Sequence, residues 1–276
     1  MLLGSMESDM TCGTQAAQVL LEQRYKDMAR RNIRPLPTFD EAGFRCCSQF
    51  EEDGILLYIF SLIGVTNKTA VEICAGDGIQ CNSANLIINH GWHGYLFDGD
   101  RKNVVRGSQY YRRHKDTFLW PPKLTHAWIT AENVDRTLQD AGVEGEVDLL
   151  SVDVDGMDYW IWKAINCINP RVVVCETHNV IPADKALTVP YDRSFKISVE
   201  DYHGASLAAM TKLAKEKGYR LAGTHRYGFN AFFIRNGVGE ELLPAVGVQD
   251  CLLHPYAKHR SRDAWPKVGN LPWEQV

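Results

Sequence analysis

Two short acid-bearing segments hold most of the chemistry available to this chain. Asp153-Val154-Asp155-Gly156-Met157-Asp158 closes a nearly continuous apolar run at residues 147–154, and Glu176-Thr177-His178-Asn179 closes another at residues 172–175. Carboxylates on alternate positions repel one another, so such a set needs a cation, a shared proton or solvent. Asp155 and Asp158 could instead cap the helix expected from residue 159, since acids in a first turn complement its dipole. That role suits Asp158 best, and a functional role suits Asp153 and Glu176. His178 is the histidine beside this cluster, and its ordinary pKa suits a general base near neutral pH. His203, beside Tyr202 and Gly204, is a second histidine on a later loop.

A second constellation lies upstream. Residues 70–80, AVEICAGDGIQ, join an apolar strand to a turn in which Gly76 and Gly78 bracket Asp77. Glycine lets bare backbone approach a ligand and tolerates positive φ. About twenty residues on, GYLFDGD at residues 94–100 brings a second apolar strand to the carboxylate Asp98. An acid at the tip of the second strand, facing a glycine turn after the first, is how Rossmann-like sheets grip a ribose. No third glycine follows Gly78, so the pyrophosphate fingerprint of dinucleotide sites is incomplete. An acid-x-x-x-Gly-x-Gly turn suits a phosphate-free cofactor, S-adenosylmethionine, with Glu72 facing its cationic amino group.

The elements that must position these residues alternate. Helices are expected at residues 14–32, 53–65, 82–90, 134–140, 159–168 and 205–217, the last stopped by Gly218. Strands are expected at 70–75, 94–98, 124–129, 147–154 and 172–175. Two final strands, 219–225 and 230–235, are joined by a short turn at Tyr227-Gly228. Continuous apolar strands indicate a parallel sheet covered on both faces, whereas a closing hairpin inserts an antiparallel strand. The fold class is therefore α/β: a Rossmann-like, doubly wound, mostly parallel seven-stranded sheet with an antiparallel final strand and helices on both faces. Residues 7–47 form an N-terminal helical extension, 48–237 the cofactor-binding domain and 238–276 a C-terminal tail packed on it. Residues 1–6, with Gly4-Ser5-Met6, read as foreign to the domain. The segment at residues 182–202 is long enough to cover a substrate.

With 276 residues, 45% of them hydrophobic, the chain can bury one large core. A net charge of -4 argues against nucleic acid as a partner. The one dense basic-aromatic run, Tyr110-Tyr111-Arg112-Arg113-His114-Lys115, reads as the solvated face of a helix. Eight cysteines without a Cys-x-x-Cys suit free thiols in a reducing compartment rather than a structural zinc. Neither a signal peptide nor a long apolar span is visible, so a cytoplasmic protein without a membrane partner is expected. A homo-oligomer stays open.

Three segments carry a resemblance: Ser48-Gln49-Phe50-Glu51-Glu52-Asp53-Gly54, the glycine turn, and residues 153–158. Across residues 48–235 the chain resembles class I S-adenosylmethionine-dependent methyltransferases, especially the FkbM-like group and related natural-product O-methyltransferases. It departs in having Asp155-Gly156-Met157-Asp158 where an acid-glycine-glutamate is common. The resemblance implies that Glu72, Ala75, Gly76 and Gly78 contact the cofactor, with Asp98 and Gly99 at its ribose and Asp153 nearby. Ala131 and Glu132 would lie near the adenine. It also implies a magnesium ion held by Asp153 and Glu176 against the substrate's hydroxyls, since a hard cation takes oxygen ligands. The catalytic candidates are His178, Asp155 and Asp153, and the expected acceptor is the hydroxyl of a small molecule in secondary metabolism. Trp92, Trp128, Tyr159, Trp160 and Trp162 could line its pocket or fill the core. Two other readings stay open: a metal-free N-methyltransferase, and a cofactor-binding module without activity.

Overall fold

The computed structural model describes the backbone of residues 3–276 and the side chains of residues 15–276. The chain opens with α1 (Leu3–Arg30), a single turn α2 (Phe39–Ala42) and the buried α3 (Glu52–Ile63). Five strand–helix steps follow, and they build most of the sheet. They are β1 (Thr69–Ile73) with α4 (Ala84–His90), β2 (His93–Asp98) with α5 (Arg101–Tyr111), and β3 (Lys123–His126) with α6 (Val134–Asp140). Next come β4 (Gly145–Val152) with α7 (Asp158–Ala164), and β5 (Ile168–Glu176), whose connection to α8 (Leu207–Glu216) contains the two-residue β6 (Leu187–Thr188). The chain ends with β7 (Tyr219–Thr224), β8 (Asn230–Arg235), α9 (Val248–Cys251), α10 (Pro255–Val268) and β9 (Glu274–Gln275).

The main sheet has the order β3-β2-β1-β4-β5-β8-β7. The first five strands are mutually parallel, and β8 runs antiparallel to both β5 and β7. This is the expected doubly wound sheet, with its switch point between β1 and β4. Alternation along the strands feeds two cores. Val172 and Val174 face one side with α3 and α4, while Val173 and Cys175 face the other with α7 and α8. α1 packs on α3 through an edge-on Tyr25–Tyr58 pair at 4.8 Å. The C-terminal segment returns to the core: Ala264 and Val268 of α10 pack on Val180, and β9 pairs with β6.

Several boundaries differ from expectation, among them the end of α7 at Ala164 rather than 168, the start of β5 at Ile168 rather than 172, and the starts of α4 and α1 and the end of β3. The helix expected from residue 82 begins at Ala84, because the Asn82 and Ser83 N–H groups donate to the Glu72 carboxylate at 2.8 Å. The strand expected at 124–129 ends at His126. The chain then leaves the ladder after Ala127 N–H bonds the Asp98 carbonyl at 2.9 Å, and residues 127–130 become a cavity wall. α1 starts at Leu3, so residues set aside as foreign are continuous with that helix.

Candidate active site

The strand register determines what meets at the carboxyl edge of the sheet. Ile73 pairs with Phe97 on one side and Val152 on the other, and Val152 pairs with Cys175. One residue further, Cys74, Asp98, Asp153 and Glu176 therefore stand in a row along the edge. Glu176 itself pairs with Asn230 of β8. This edge beside a switch point is where open α/β sheets hold ligands.

Between the tips of β1, β2 and β3 lies a cavity lined by Ile73, Cys74, Asp98, Gly99 and residues 127–130. Val154 and Met157 close it from the β4–α7 loop, and Tyr191 to Phe195 cover it from the connection after β5. That connection was expected to cover the substrate; it covers this cavity. Trp128 anchors the cover through Nε1–H to the Arg193 carbonyl at 3.1 Å, and the Tyr191 hydroxyl donates to Glu132 at 2.6 Å. Asp98 Oδ2 accepts from Gly76 N–H at 2.9 Å, while its Oδ1 accepts from Asp100 N–H and Asn103. Gly76 has φ +60°, and a Cβ built there would meet nothing within 4 Å, so its backbone borders open space.

Several expected cofactor residues are employed elsewhere. Glu72 is 3% exposed, and both its oxygens are taken by the backbone of Asn82 and Ser83 and the hydroxyls of Ser83 and Ser151. It braces the turn from within and does not reach the cavity. Gly78 faces away too: a Cβ there would lie 2.6 Å from Leu96, and its carbonyl accepts from the Tyr111 hydroxyl. Ala131 and Glu132 follow directly on the cavity wall at Thr130 without lining it, and both bond Tyr191 of the cover. Ala75, buried, bonds the Phe97 carbonyl and belongs to the apolar core. Of the five aromatic candidates only Trp128 lines the cavity. Trp92 and Trp162 are buried in the core, Tyr159 joins them, and Trp160 bonds the Val189 carbonyl. Cavity residues that sequence reasoning missed, such as Ile129 and Phe195, are ordinary apolar residues on loops and carry no sequence signal.

The acid cluster adjoins this cavity. Asp153, Asp155 and Glu176 each offer a carboxylate oxygen, all within 4.8 Å of one another. Burial and the neighbouring acids push the Asp153 and Glu176 carboxyls well above the usual range. Glu176 Oε2 is enclosed and has no hydrogen-bond partner, and the same is true of Asn230 Oδ1 across the ladder. Asn230 Nδ2 is held by Glu52 Oε1 at 2.9 Å, so the acidic motif at residues 48–54 reaches this wall from behind. Asp155 sits at φ +52° and is exposed on the loop. Asp158 is fully buried and accepts from the N–H groups of Val154 and Gly156, so it ties down the loop before α7; it is the first residue of that helix, whose N-cap is Met157 and which has no side-chain cap, so the expected capping bond is not made.

His178 is 7% exposed and stacks beside His203, with ring centroids 4.2 Å apart. Its Nε2 meets the Asp201 carbonyl at 2.9 Å, and since a carbonyl only accepts, Nε2 carries the proton and Nδ1 is the basic nitrogen. Burial holds this ring neutral, with its pKa pulled down to about 4. His203 is held low by burial as well, opposed by the charge of Asp155, and its Nδ1 is enclosed without a partner.

The chain matches no protein family and no curated protein. Among solved structures it is similar to magnesium protoporphyrin IX methyltransferase from Synechocystis PCC 6803 with bound SAM, at 12% identity over 67% of this chain and 78% of the other, TM-score 0.43. It is also similar to the N-terminal domain of EvdMO1 with SAH bound, at 13% identity over 77% and 94% of the two chains, TM-score 0.45. A third is a putative sarcosine dimethylglycine methyltransferase from Galdieria sulphuraria, at 15% identity over 62% and 60%, TM-score 0.42. At such identities the class is defined by the sheet itself: a Rossmann-like α/β protein with a largely apolar cavity beside a carboxylate cluster.

The crowding of these acids has a consequence for stability. Unfolded, Glu176 ionises in the usual carboxylate range; folded, it keeps its proton to higher pH. Its contribution therefore favours the fold below that range and is lost as pH rises towards the raised value. Glu176→Gln should raise the melting temperature at pH 8 on the order of 2–4 °C and leave it unchanged at pH 4. Scanning calorimetry at both pH values checks this.

Proposed function

We propose that the protein is an S-adenosylmethionine-dependent methyltransferase acting on a hydroxyl of a small molecule of secondary metabolism. The observation that carries the reading is the adjacency of the two sites. The cavity bearing Asp98 shares the β4–α7 loop with the cluster of Asp153, Asp155 and Glu176. One site suits a nucleoside and the other an acceptor a short distance from it.

The residues fit the cofactor. Asp98 accepts twice on Oδ1 and once on Oδ2, which keeps a lone pair on Oδ2 for a ribose hydroxyl. Gly76 leaves room for the ligand beside its backbone, and Trp128, Ile129 and Phe195 offer apolar surfaces to a planar base. When bound, S-adenosylmethionine supplies a methyl group already activated on sulfur, so alignment and the removal of one proton are the protein's tasks.

The cluster fits a magnesium ion, because three oxygens converge and Glu176 Oε2 has no partner within the protein. Asp153 and Glu176, with Asp155 beside them, would hold the ion, which would lower the pKa of an acceptor hydroxyl. Asp153, at the junction of both sites, borders cofactor and acceptor alike. His178, neutral and with Nδ1 free of the Asp201 bond, takes the proton, and Asp155 tunes its neighbour His203. Reduced thiols suit a cytoplasmic protein, and the acidic net charge a small-molecule rather than nucleic-acid partner. Among the described residues no helix is long and apolar enough to cross a membrane.

Asp98→Ala should weaken S-adenosylmethionine binding roughly ten- to hundredfold, as expected for lost hydrogen bonds to a charged acceptor. Unchanged binding by calorimetry would remove the ribose assignment. Exhaustive chelation should abolish methyl transfer and added magnesium restore it; activity that survives chelation excludes the ion. His178→Ala should lower turnover per folded molecule about 10²- to 10⁴-fold with cofactor affinity unchanged. A purely structural histidine would instead lower the melting temperature while the folded fraction kept its turnover.

A further inference from the structure

The basic-aromatic run at residues 110–115 has no role in the site above, and it leads into the most exposed apolar feature among the described residues. Phe118, Leu119 and Trp120 are 52%, 82% and 73% exposed. Among the described residues they form the only run of three consecutive exposed large hydrophobics. Side chains of this kind are normally drawn into a core, so three in sequence require an explanation.

The segment that carries them is fixed. Tyr111 is fully buried, and its hydroxyl donates to the Gly78 carbonyl. Thr117 is buried, and its Oγ1 donates to the Tyr111 carbonyl at 2.7 Å. Backbone bonds from Phe118 N–H to His114 O (3.0 Å) and from Trp120 N–H to Thr117 O (3.1 Å) wind the segment into a helical turn. Buried Pro122 then leads into β3. The trio is thus displayed from a rigid apex, and holding it there on binding costs little ordering entropy.

Cations surround this apex. Arg112 and Arg113 are exposed and have no acid partner among the described residues. Lys115 pairs with Asp116 at 3.3 Å, and Lys123 is spent on the Ala141 carbonyl. α5 runs back from the tip of β2, so the apex lies at the edge where β2 and β3 begin, near His93, whose ring is 5.3 Å from that of Trp120. This is the edge opposite the cavity.

The geometry points to a peripheral membrane-docking apex: Phe118, Leu119 and Trp120 enter the headgroup region of an anionic bilayer while Arg112 and Arg113 meet lipid phosphates and carboxylates. An aromatic-aliphatic wedge flanked by arginines has the composition of such contacts. Three side chains bury about 400 Å², half of the roughly 800 Å² per partner that a stable protein interface needs, so a second copy of this chain is the poorer occupant.

Sedimentation of the full chain with vesicles tests this, comparing phosphatidylcholine alone with equimolar phosphatidylcholine and phosphatidylserine. Binding is expected only to the anionic vesicles, weakening as salt is raised. Arg112→Gln and Arg113→Gln should each reduce it about fivefold, and Leu119→Asp or Trp120→Ala should abolish it without changing the melting temperature. Quenching of tryptophan fluorescence by bromine-labelled lipid should disappear in Trp120→Phe. Absence of binding to both vesicles overturns the proposal, as does equal binding to both. Concentration-dependent self-association broken by Leu119→Asp, without vesicle binding, would assign the apex to a protein contact and overturn it as well.

Discussion

The geometry of the site depends on one buried carboxylate, Glu72. It lies on the central strand β1, between β2 and β4, and accepts four hydrogen bonds. Two are from the backbone that starts α4, one is from Ser83 and one is from Ser151 on β4. A charge at 3% exposure is tolerable only when its lone pairs are filled, and here they are. The result is a clamp joining the strand, the turn and the next strand. It presents Gly76 to the cavity and turns Gly78 inward against Leu96. Tyr111 and the close approach of Gly107 to the Asp77 carbonyl seat α5 on the same turn. An acid that sequence pattern assigns to a ligand is thus the internal support of the ligand's cradle.

The carboxyl edge of the sheet behaves in the opposite way. Asp153 and Glu176 are brought together by strand register and left without enough donors, so their charged forms are disfavoured. The protein could have satisfied them, as it satisfies Asp158 with two loop N–H groups or Asp148 with three backbone N–H groups and Arg171. The contrast between saturated acids and unsaturated ones separates scaffold from site more sharply than acidity alone. Left-handed backbone occurs at Cys74 and Asp155 at these strand ends, and equally at Asn32, Lys68 and Asp201 away from the cavity.

Distant parts of the chain complete the edge. The acidic segment at residues 48–54 precedes the first strand, yet Glu52 reaches Asn230 beside Glu176. Tyr191, Arg193 and Phe195 come from the connection after β5, and Phe195 rests on Gly156 of the acidic loop. Trp273, near the C-terminus, stacks near His178, and its Nε1–H bonds the Val268 carbonyl. His178 therefore stands beneath a cover made by the last residues of the chain. Its neutrality is a product of that burial rather than of its local sequence.

Residue pattern alone was enough for the alternation of elements, the parallel sheet with its antiparallel insertion, and the positions of Asp98, Asp153 and Glu176 at strand ends. Those follow from local causes: apolar runs, glycine turns and the two-residue period of a strand. Only the tertiary structure decided which polar groups are spent inside the protein. Glu72 and Gly78 stand in the same motif as residues that border the cavity, and nothing in their spacing marks them as scaffold, whereas the position of Asp158 before a helix already pointed to a structural role. The difference lies in hydrogen bonds to Ser83, Ser151 and Tyr111, partners supplied by folding. The cavity wall at residues 127–130, Trp128 apart, was illegible for a related reason, and of the cover only the length of the segment at residues 182–202 gave a sign. Apolar loop residues acquire a role only when the sheet gives them a neighbour to face.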